Sequence, residues 1–477
     1  MRRFAFVAVL LLAVSTPSGA TRADDLDARI SRQLHANAER YGIAGQSVLI
    51  RHNGALLAQA VAGEADVTTH RAVTAETVFN AYSLAKLLVS ALVMQRVEAG
   101  RVELDAPASR YLPDLPEAWQ AITVRQFLNH ASGVPEYFQY RDGEVITSQG
   151  NRRFQATPAE VFKELAGAPL QFTPGTANRY TQTNYLVLTA LLEAQYQQPY
   201  AQIVRDRVLR PLSMTHTSLG PATDARHEIA IAYIGKQGAL QREDDIAWPS
   251  YAYGHAALHT TVGDLDRFLL ALTRGELVGR ATLQQLWQPQ LLSSGQRSGF
   301  STGWEFEESG DYRFVGHDGG TRVRARIAFM DGLGGDTYSF IYLTNGSAKN
   351  VWSRTLVDST MAVVAPMQFP REALSETLIT YALEPQTAAR TTALRQWLIT
   401  TGRGDQPMLE QDINRVGYAV AENLGHATAL PLFAFNATLF PRSANAWDSL
   451  AETYAALGDA KQAERLYAKS KALAAAR

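Results

Sequence analysis

Hydrophobic positions in the first hundred residues follow two different spacings. Residues 25 to 41 have the apolar pattern of a helix. Residues 45 to 66 alternate apolar and polar positions on both sides of Asn53-Gly54, a dipeptide favoured in tight hairpins, and predict two antiparallel strands. Helical spacing returns over residues 81 to 99 and stops at Gly100.

Further strand patterns appear only after a long middle region. Residues 121 to 273 are predicted to be mostly helical, with Gly and Pro turns between the segments. Three segments then alternate as strands separated by glycine-rich turns, at residues 312–320, 322–331 and 337–346. Strands at both ends of a domain predict an α+β fold, in which one antiparallel sheet is closed by the chain ends and flanked by helices, with an all-helical subdomain.

Near residue 370 the strand signals vanish, and alanine-rich helical spacing continues to the end of the chain. The spacing of Trp447, Leu450 and Tyr454, followed by Ala463, resembles a tetratricopeptide unit, and residues 423–433 resemble a weaker copy. Two units are too few for a free-standing solenoid, so we expect this all-α tail to pack on the main domain or on a partner. A plain helical appendage and a peptide-binding role both remain open.

The first residues have the pattern of an export signal. Two arginines precede an apolar run over residues 4 to 14 and then small residues, with cleavage expected after Ala20 or Ala23. The run is too short for a permanent membrane anchor, although an uncleaved signal anchor is the alternative. We therefore expect an exported, periplasmic or secreted protein with a signal peptide (residues 1–23), a main domain (24–368) and a helical tail (369–477).

Composition excludes several kinds of chemistry. The chain has no cysteine, which removes disulfides, thiolate catalysis and cysteine zinc sites. A net charge of -1 over 477 residues gives no general attraction to nucleic acid or to anionic membranes. We expect a small-molecule or peptide substrate, no nucleic-acid partner, no stable membrane insertion, and neither cofactor nor metal. The tail remains a possible contact for a protein partner.

Ser83 and Lys86 form the only Ser-x-x-Lys sequence of the chain, and Lys86 is one of seven lysines. Residues three apart share a helix face, so the Lys86 amine can lie beside the Ser83 hydroxyl. A lysine in an apolar setting can give up its proton, which an arginine cannot. A serine at a helix N-terminus also meets backbone N–H groups that favour a developing negative charge. From this segment alone, a capping serine beside a lysine that reaches solvent is an equal alternative.

Other short motifs follow Ser83-Leu84-Ala85-Lys86 in order. They are Leu-Asn-His-Ala-Ser-Gly at 128–133, Pro174-Gly175, Tyr-Thr-Gln-Thr-Asn-Tyr at 180–185 and Gly-His-Asp-Gly-Gly at 316–320. The ordered series resembles the serine β-lactamase and penicillin-binding protein superfamily, in the branch of class C β-lactamases, D-aminopeptidases, DD-carboxypeptidases and related esterases. The resemblance covers about residues 27 to 365 and implies a β-lactamase/transpeptidase-like fold.

The resemblance also implies roles for four side chains. Ser83 would be acylated with Lys86 as its proton partner, and Tyr180 would share the base role and protonate the leaving group. A phenol with a pKa near 10 is a poor base, so it needs a neighbouring cation to favour the phenolate. Lys86 and His317 are the candidates for this cation. His317 begins the third motif, which reads Lys-Thr-Gly in many lactamases and His-x-Gly in many esterase and peptidase relatives.

Backbone and substrate-binding positions follow from the same resemblance. The two N–H groups that would hold the oxyanion belong to Ser83 and Gly320, and Asp318 and Gly319 would border the substrate on the same strand. Two such donors can each lower the barrier by roughly 3 kcal/mol.

One position departs from the family pattern, since Gln182 stands where an asparagine is expected. We interpret the longer amide as a shifted specificity or an impaired lactamase activity. Asn184 is a poor substitute, because two residues further along a helix it faces elsewhere. Glu136 and Tyr137 are expected on a loop that borders the substrate pocket.

Four other patterns compete for a chemical role. His130 and Ser132 look like a second catalytic pair, but the family uses this segment as a structural turn. Residues 299–303 match the Gly-x-Ser-x-Gly elbow of α/β-hydrolases, which needs a strand before it and a helix after it, yet a turn is predicted before it and a strand after it. His255 and His259 have metal-ligand spacing for a helix, but glycine and small residues around them predict a loop. Gly332-Leu333-Gly334-Gly335 lacks a phosphate-loop continuation and is predicted to be a turn between strands.

Two classes of function remain. The first is a serine hydrolase that forms an acyl-serine intermediate on an amide, a β-lactam or an ester. The alternative is a catalytically weak penicillin-binding-type protein that serves as a binding or scaffold module, with Gln182 as the sign of lost turnover.

Overall fold

The structure is a computed structural model that describes residues 19–141, 144–147, 153–221, 229–243, 246–404 and 408–476. Residues 1–18 of the predicted signal peptide lie outside this set, so the signal stays a prediction. Among the described helices, none has the length and apolar character that a membrane span requires.

The helices and strands of the described residues alternate along the main domain, and only helices follow it. The strands are β1 (Gly45–His52), β2 (Ala55–Asp66), β3 (Arg71–Ala72), β4 (Phe79–Asn80), β5 (Phe138–Arg141), β6 (Glu144–Thr147), β7 (Ser218–Leu219), β8 (Tyr233–Lys236), β9 (Ala239–Arg242), β10 (Leu258–Thr260), β11 (Phe300–Ser301), β12 (Trp304–Ser309), β13 (Tyr312–Asp318), β14 (Arg324–Phe329) and β15 (Thr337–Thr344). The main-domain helices are α1 (Gly19–Tyr41), α2 (Ala85–Glu98), α3 (Val124–Leu128), α4 (Pro158–Leu165), α5 (Gln182–Tyr196), α6 (Tyr200–Val204), α7 (Val262–Arg274), α8 (Arg280–Leu286) and α9 (Ser353–Val364). The tail helices are α10 (Pro370–Leu383), α11 (Ala388–Thr400), α12 (Leu409–Leu424), α13 (His426–Leu439), α14 (Ala444–Ala456) and α15 (Ala460–Ala475).

An antiparallel sheet of eight strands, in the order β11-β12-β13-β14-β15-β1-β2-β3, organises the main domain. β1 pairs with β15, so strands from the two ends of the domain meet inside one sheet, as the sequence predicts. The predicted hairpin between β1 and β2 is confirmed. Its two turn residues, Asn53 and Gly54, have φ values of 51° and 79°, the left-handed conformation that a tight hairpin turn needs.

Helices cover both faces of this sheet because both faces are apolar. Alternate strand residues point to opposite faces, so neighbours such as Phe314 and Val315 enter different hydrophobic cores. One core packs α2, α5 and α7 against the sheet, and we call this side the α2 face. The other core packs α1 and α9, and we call it the α9 face. The predicted α+β class is therefore confirmed.

The middle region contains the predicted helices but also short strands that the local pattern does not indicate. β4, β10 and β7 form a small sheet, although β4 and β10 lie far apart in the sequence. Strands of two or three residues show no measurable alternation, and their partners are set by the tertiary fold. This small sheet matters because β4 ends three residues before Ser83.

The tail forms its own hydrophobic core from α10 to α15 and packs on the main domain. α12 and α13 meet at Gly425, and α14 and α15 form a second helix-turn-helix pair. Trp352, just before α9, donates an indole N–H to Glu422 of α12 at 3.0 Å. The expected packing on the main domain is therefore present, whereas the tetratricopeptide character of the pairs remains a prediction.

Phe369 lies at the predicted start of the tail but belongs to the core of the main domain. It is 1% exposed, and its ring centroid lies 5.1 Å from Tyr312, 5.2 Å from Tyr338 and 5.6 Å from Phe340. The first tail residue therefore anchors the tail to the α9 face of the sheet.

We expect Phe369→Ala to destabilise the main domain together with the tail. Removing a fully buried phenylalanine typically costs about 3–5 kcal/mol. Urea unfolding followed by tryptophan fluorescence would show an earlier transition, and Phe369→Leu, which keeps most of the buried volume, should show a smaller shift. An unchanged transition for the alanine variant would contradict this anchoring role.

Candidate active site

Ser83 lies in a single 3₁₀ turn, Tyr82–Leu84, immediately before α2. Tyr82 has a φ of 45°, a conformation that is uncommon outside glycine and often marks a functional turn. In α2 the ten residues from Ala85 to Met94 are all buried, so this helix passes through the core with no solvent-facing side over that length. The predicted helix therefore exists, but Ser83 precedes its first α-helical turn.

Three predicted side chains meet at the start of α2. The Lys86 Nζ lies 3.1 Å from the Ser83 Oγ, and the Tyr180 hydroxyl donates to the same Oγ at 2.9 Å. The Lys86 amine also donates to the side-chain oxygen of Gln182 at 2.7 Å and to the main-chain oxygen of His255 at 3.1 Å. The structure thus brings the serine, the lysine and the tyrosine into direct contact.

The surroundings of Lys86 favour its neutral form. The residue is 0% exposed, and this burial lowers its pKa well below 10.5, despite the nearby carboxyl groups of Glu136 and Asp318. Two of its three partners are carbonyl oxygens, which can only accept hydrogen bonds. A neutral amine has two N–H groups for these carbonyls and one lone pair, which is then left to accept the proton of the Ser83 hydroxyl.

Tyr180 is the less favourable base in the free protein. The residue is 41% exposed and borders the site, while its hydroxyl points inward to Ser83. Desolvation raises the pKa of Tyr180 well above 10, and burial lowers the pKa of Lys86 and of His317. Neither candidate cation therefore favours a phenolate before substrate binds, and the neutral phenol is suited to donate a proton.

Gln182 is the first residue of α5 and is held from two directions. Its side chain accepts from Lys86, and its backbone N–H donates to the Glu136 carboxylate at 2.7 Å. The same carboxylate accepts from the backbone N–H of Tyr137 at 3.0 Å. A carboxylate at a helix N-terminus is electrostatically favourable, and here it fixes the start of α5. Glu136 lies in a loop, as the sequence predicts, and its half-buried carboxylate supports Gln182.

His317 and Asp318 end β13 and point to opposite faces of the sheet. His317 is 0% exposed, and its ring centroid lies 5.8 Å from that of Tyr180. Its Nδ1 lies 2.6 Å from the main-chain oxygen of Asp318, so Nδ1 carries the proton; its Nε2 has no hydrogen-bond partner among the described residues. The Asp318 carboxylate instead accepts from Ser353 of α9 at 3.1 Å. The His317 ring therefore lies beside Tyr180, whereas the Asp318 carboxylate is held by α9.

The one potential metal-binding group among the described residues is Glu305, His317 and Asp318, whose ligand atoms lie within 4.8 Å of one another. The Arg324 guanidinium already pairs with Glu305, and it lies 3.7 Å from Asp318. Since this cation already occupies the position beside both carboxylates, the donor set does not fit a resident metal ion.

Gly319 and Gly320 run against the backbone that carries the serine. A side chain at Gly319 would lie 2.5 Å from the Ala81 oxygen and 3.3 Å from the Ser83 nitrogen, and one at Gly320 would lie 2.8 Å from the Tyr82 ring. Only glycine permits this approach without a shift of either segment. The Gly319 N–H is occupied by the Val323 oxygen at 2.9 Å. The two segments predicted to supply the oxyanion donors are therefore adjacent.

His130 contacts the Tyr180 ring and the backbone of both neighbouring residues. Its ring centroid lies 4.4 Å from the Tyr180 ring, its Nδ1 accepts from the backbone N–H of Thr181 at 3.2 Å, and its backbone oxygen accepts from Arg179 at 2.8 Å. The residues on both sides of Tyr180 are thus bonded to one histidine. Asn184 also donates to this Nδ1, at 3.0 Å, and so faces away from Lys86 as expected.

The residues of the competing motifs have structural roles in this fold. Ser301 ends β11, which forms a hairpin with β12, and the Ser301 hydroxyl contacts the backbone oxygens of Leu286 and Gln288 at 2.8 and 2.7 Å. His255 lies in a turn and His259 in β10, so they do not share a helix. The His255 side chain contacts Tyr137, with its Nε2 2.8 Å from the hydroxyl. Its carbonyl contact with Lys86 is a backbone feature, and no residue type in the sequence could have revealed it.

The fold and this cluster together define a class: a β-lactamase/transpeptidase-like domain with a serine, a lysine and a tyrosine where the helical layer meets the sheet. The chain belongs to the Beta-lactamase family, whose model matches residues 26–353.

Two relatives and one solved structure are similar to the chain. Penicillin-binding protein 4* of Bacillus subtilis is 24% identical over 288 residues, which cover 57% of this chain and 62% of that protein. A D-aminopeptidase of Brucella canis is 25% identical over 301 residues, covering 61% of this chain and 54% of that protein. The solved structure of EstCE1, described as a hydrolase with promiscuous acyltransferase activity, superimposes with a TM-score of 0.60 at 21% identity, over 72% of this chain and 100% of that one. The chain thus spans less than two thirds of the two relatives' lengths.

We expect His130→Leu to slow acylation of Ser83 by a fluorophosphonate probe roughly 10- to 100-fold, because a small displacement of a reacting group can cost this much. Leucine fills the space but cannot accept the Thr181 N–H. Asparagine places an oxygen where the histidine has Nδ1, so His130→Asn should recover most of the rate at equal thermal stability. If both variants reacted equally, His130 would have only a packing role.

Proposed function

We propose that the protein is a serine hydrolase that forms an acyl-enzyme on Ser83. The observation that carries this proposal is the contact of one serine hydroxyl with a fully buried lysine amine at 3.1 Å and with a tyrosine hydroxyl at 2.9 Å. The nucleophile, a base and a proton donor are therefore in place before a substrate arrives.

In the proposed acylation, the Lys86 amine takes the Ser83 proton while Oγ forms a bond to the substrate carbonyl carbon. The carbonyl oxygen becomes an oxyanion that faces the backbone N–H groups of Ser83 and Gly320. When the intermediate collapses, the bond to the leaving group breaks and Tyr180 gives that group its proton. The Lys86 ammonium then returns a proton to Tyr180, and the amine is restored for deacylation by water.

The substrate class is an amide, β-lactam or ester, with small molecules or peptides as the expected partners. The names of the relatives, a penicillin-binding protein and a D-aminopeptidase, support this range. Gln182 is part of the proposed substrate site, because its amide already contacts Lys86 at 2.7 Å. That contact favours altered specificity over lost turnover. Export to the periplasm or the medium fits such substrates and rests on the predicted signal.

The alternative is a binding or scaffold module that keeps the fold without turnover. The tail favours it, whereas the intact hydrogen bonds of Ser83 speak against it. The two proposals differ in whether Ser83 reacts.

We expect a fluorophosphonate probe to label the purified protein at Ser83, with loss of labelling in Ser83→Ala. Ser301→Ala is the matched control, because this serine lies in the competing motif and its hydroxyl is engaged by two carbonyls. Peptide mass spectrometry identifies the modified residue. Label that persists in Ser83→Ala would remove this serine from the mechanism, and absence of label in the native protein would favour the scaffold alternative.

We expect Lys86→Arg to abolish labelling at every pH, because a guanidinium cannot give up its proton. In the native protein the labelling rate should rise with pH and level off well below pH 10.5. Burial lowers the Lys86 pKa, so the amine is neutral above this lowered pKa and becomes protonated and inactive below it. A rate that kept rising to pH 10 would exclude Lys86 as the base, as would normal labelling of the arginine variant.

A further inference from the structure

Tyr82, the residue before the proposed nucleophile, holds a backbone conformation that its residue type rarely adopts. Its φ of 45° lies in the left-handed region, and for a bulky side chain this conformation is a genuine outlier. Such strain persists only where the surrounding contacts fix it, and it often occurs at functional sites. The contacts that fix Tyr82 therefore bear on the position of Ser83.

Hydrogen bonds hold the backbone on both sides of Tyr82. The Tyr82 N–H donates to the side-chain oxygen of Asn80 at 3.2 Å. The Ala81 N–H donates to the Leu258 oxygen in β10 at 2.7 Å, and the Ala81 oxygen accepts from the Leu84 N–H at 3.0 Å. These bonds fix where the turn begins, but they do not restrain the Tyr82 side chain.

The Tyr82 side chain is held at both ends. Its ring lies flat against Gly320, because a Cβ at that glycine would lie 2.8 to 3.0 Å from three ring carbons. At the far end, the Tyr82 hydroxyl donates to the Glu243 carboxylate at 2.6 Å. A hydrogen bond to an ionised carboxylate is shorter and stronger than one between neutral groups. Tyr82 thus connects Glu243 to the segment that carries Gly320.

Glu243 directly follows the β8–β9 hairpin, which is bonded to the main sheet. The Glu243 N–H donates to the Ala232 oxygen, just before β8, at 2.9 Å. Tyr233, the first residue of β8, donates its N–H to the oxygen of Asn345, just after β15, at 2.7 Å. The Glu243 backbone is therefore positioned through the main sheet, and its carboxylate can serve as a fixed acceptor for the phenol.

Both proposed oxyanion donors depend on the position of the Tyr82 side chain. A change of Tyr82 from the left-handed to the ordinary right-handed conformation would turn the peptide plane that carries the Ser83 N–H. The same change would withdraw the ring from Gly320 and remove the surface on which this segment packs. Oxyanion donors must lie about 2.7–3.1 Å from the developing charge, so a displacement of either donor slows acyl transfer.

We propose that Glu243 is a positioning residue for the oxyanion site, and that it holds the Ser83 and Gly320 N–H groups in place through the Tyr82 phenol. The inference rests on the proposed acylation of Ser83. Glu243 bonds to Tyr82 and acts on the reacting atoms only through it. What position 243 must supply is a hydrogen-bond acceptor of the right length, since this acceptor keeps Tyr82 in its left-handed conformation.

Steady-state hydrolysis of p-nitrophenyl butyrate tests this role. Glu243→Leu, which cannot accept the phenol hydrogen bond, should lower kcat and kcat/KM together about 10- to 100-fold with little change in KM, because the displaced donors act in the transition state. Glu243→Gln keeps an acceptor oxygen at the same reach and should retain most of the rate. Gln241→Leu is the matched control, because it changes an exposed residue of β9 and should leave kcat unchanged.

Tyr82→Phe removes the donor of the same hydrogen bond. It should lower kcat as much as Glu243→Leu does, and the double variant should be no slower than the slower single variant, because both changes break one contact. Native kcat in both single variants would overturn the proposal. Effects that multiply in the double variant would also overturn it, since Glu243 would then act by a route other than Tyr82.

Hydrogen–deuterium exchange separates this inference from the proposed function, because it needs no turnover. Peptic peptides that cover residues 79–90 and 316–326 should exchange faster in Glu243→Leu than in the native protein or in Gln241→Leu. Faster exchange there supports the positioning role even if no ester is hydrolysed, and unchanged exchange would overturn it. Failure of the native protein to hydrolyse esters or to take the fluorophosphonate probe would count against the hydrolase alone.

Discussion

The site depends on the burial of one amine. Lys86 lies on a helix whose first ten residues are all enclosed, and an ammonium ion without a paired charge would be costly there. The neutral amine avoids this cost, but it still needs partners for two N–H groups. Gln182 and the His255 carbonyl supply them, from α5 and from the turn before β10. Three separate parts of the chain must therefore be positioned correctly before Ser83 has a base.

The same constraint explains which parts of the site could be predicted from sequence. The spacing of Ser83 and Lys86 is local, and a single helix fixes their proximity. Tyr180 and His317 followed from the order of motifs, and the structure places both beside the cluster. The contact of the His255 carbonyl with Lys86 and that of the Glu136 carboxylate with Gln182 could not be predicted in this way. A backbone oxygen leaves no signature in residue type, and the Glu136 contact depends on where α5 begins.

The fold, too, has elements that the sequence predicts and elements that it does not. Long alternating segments and the Asn53-Gly54 turn predicted the main sheet, because periodicity over six or more residues carries a strong signal. The pairing of β4 with β10 was not predictable, since two-residue strands have no pattern of their own. Yet β4 leads directly into the turn that carries Ser83. The position of β4, and with it the turn that carries Ser83, is therefore set by tertiary contacts. The Ser-x-x-Lys motif describes only the turn and the start of α2 that follows it.

The distribution of cations across β13 gives the two faces different chemistry. The α2 face has a lysine, whose charge can be removed by burial, and the α9 face has arginines, whose charge persists even when they are buried. A titratable amine is needed where a proton moves, whereas a permanent guanidinium suits the ion pairs that Arg324 and Arg326 make with Glu305 and Glu307. Exchanging the two residue types would disable both faces, since an arginine cannot accept the serine proton and a buried lysine can lose its charge. The residue types on the two sides of β13 therefore separate proton transfer from structural ion pairing.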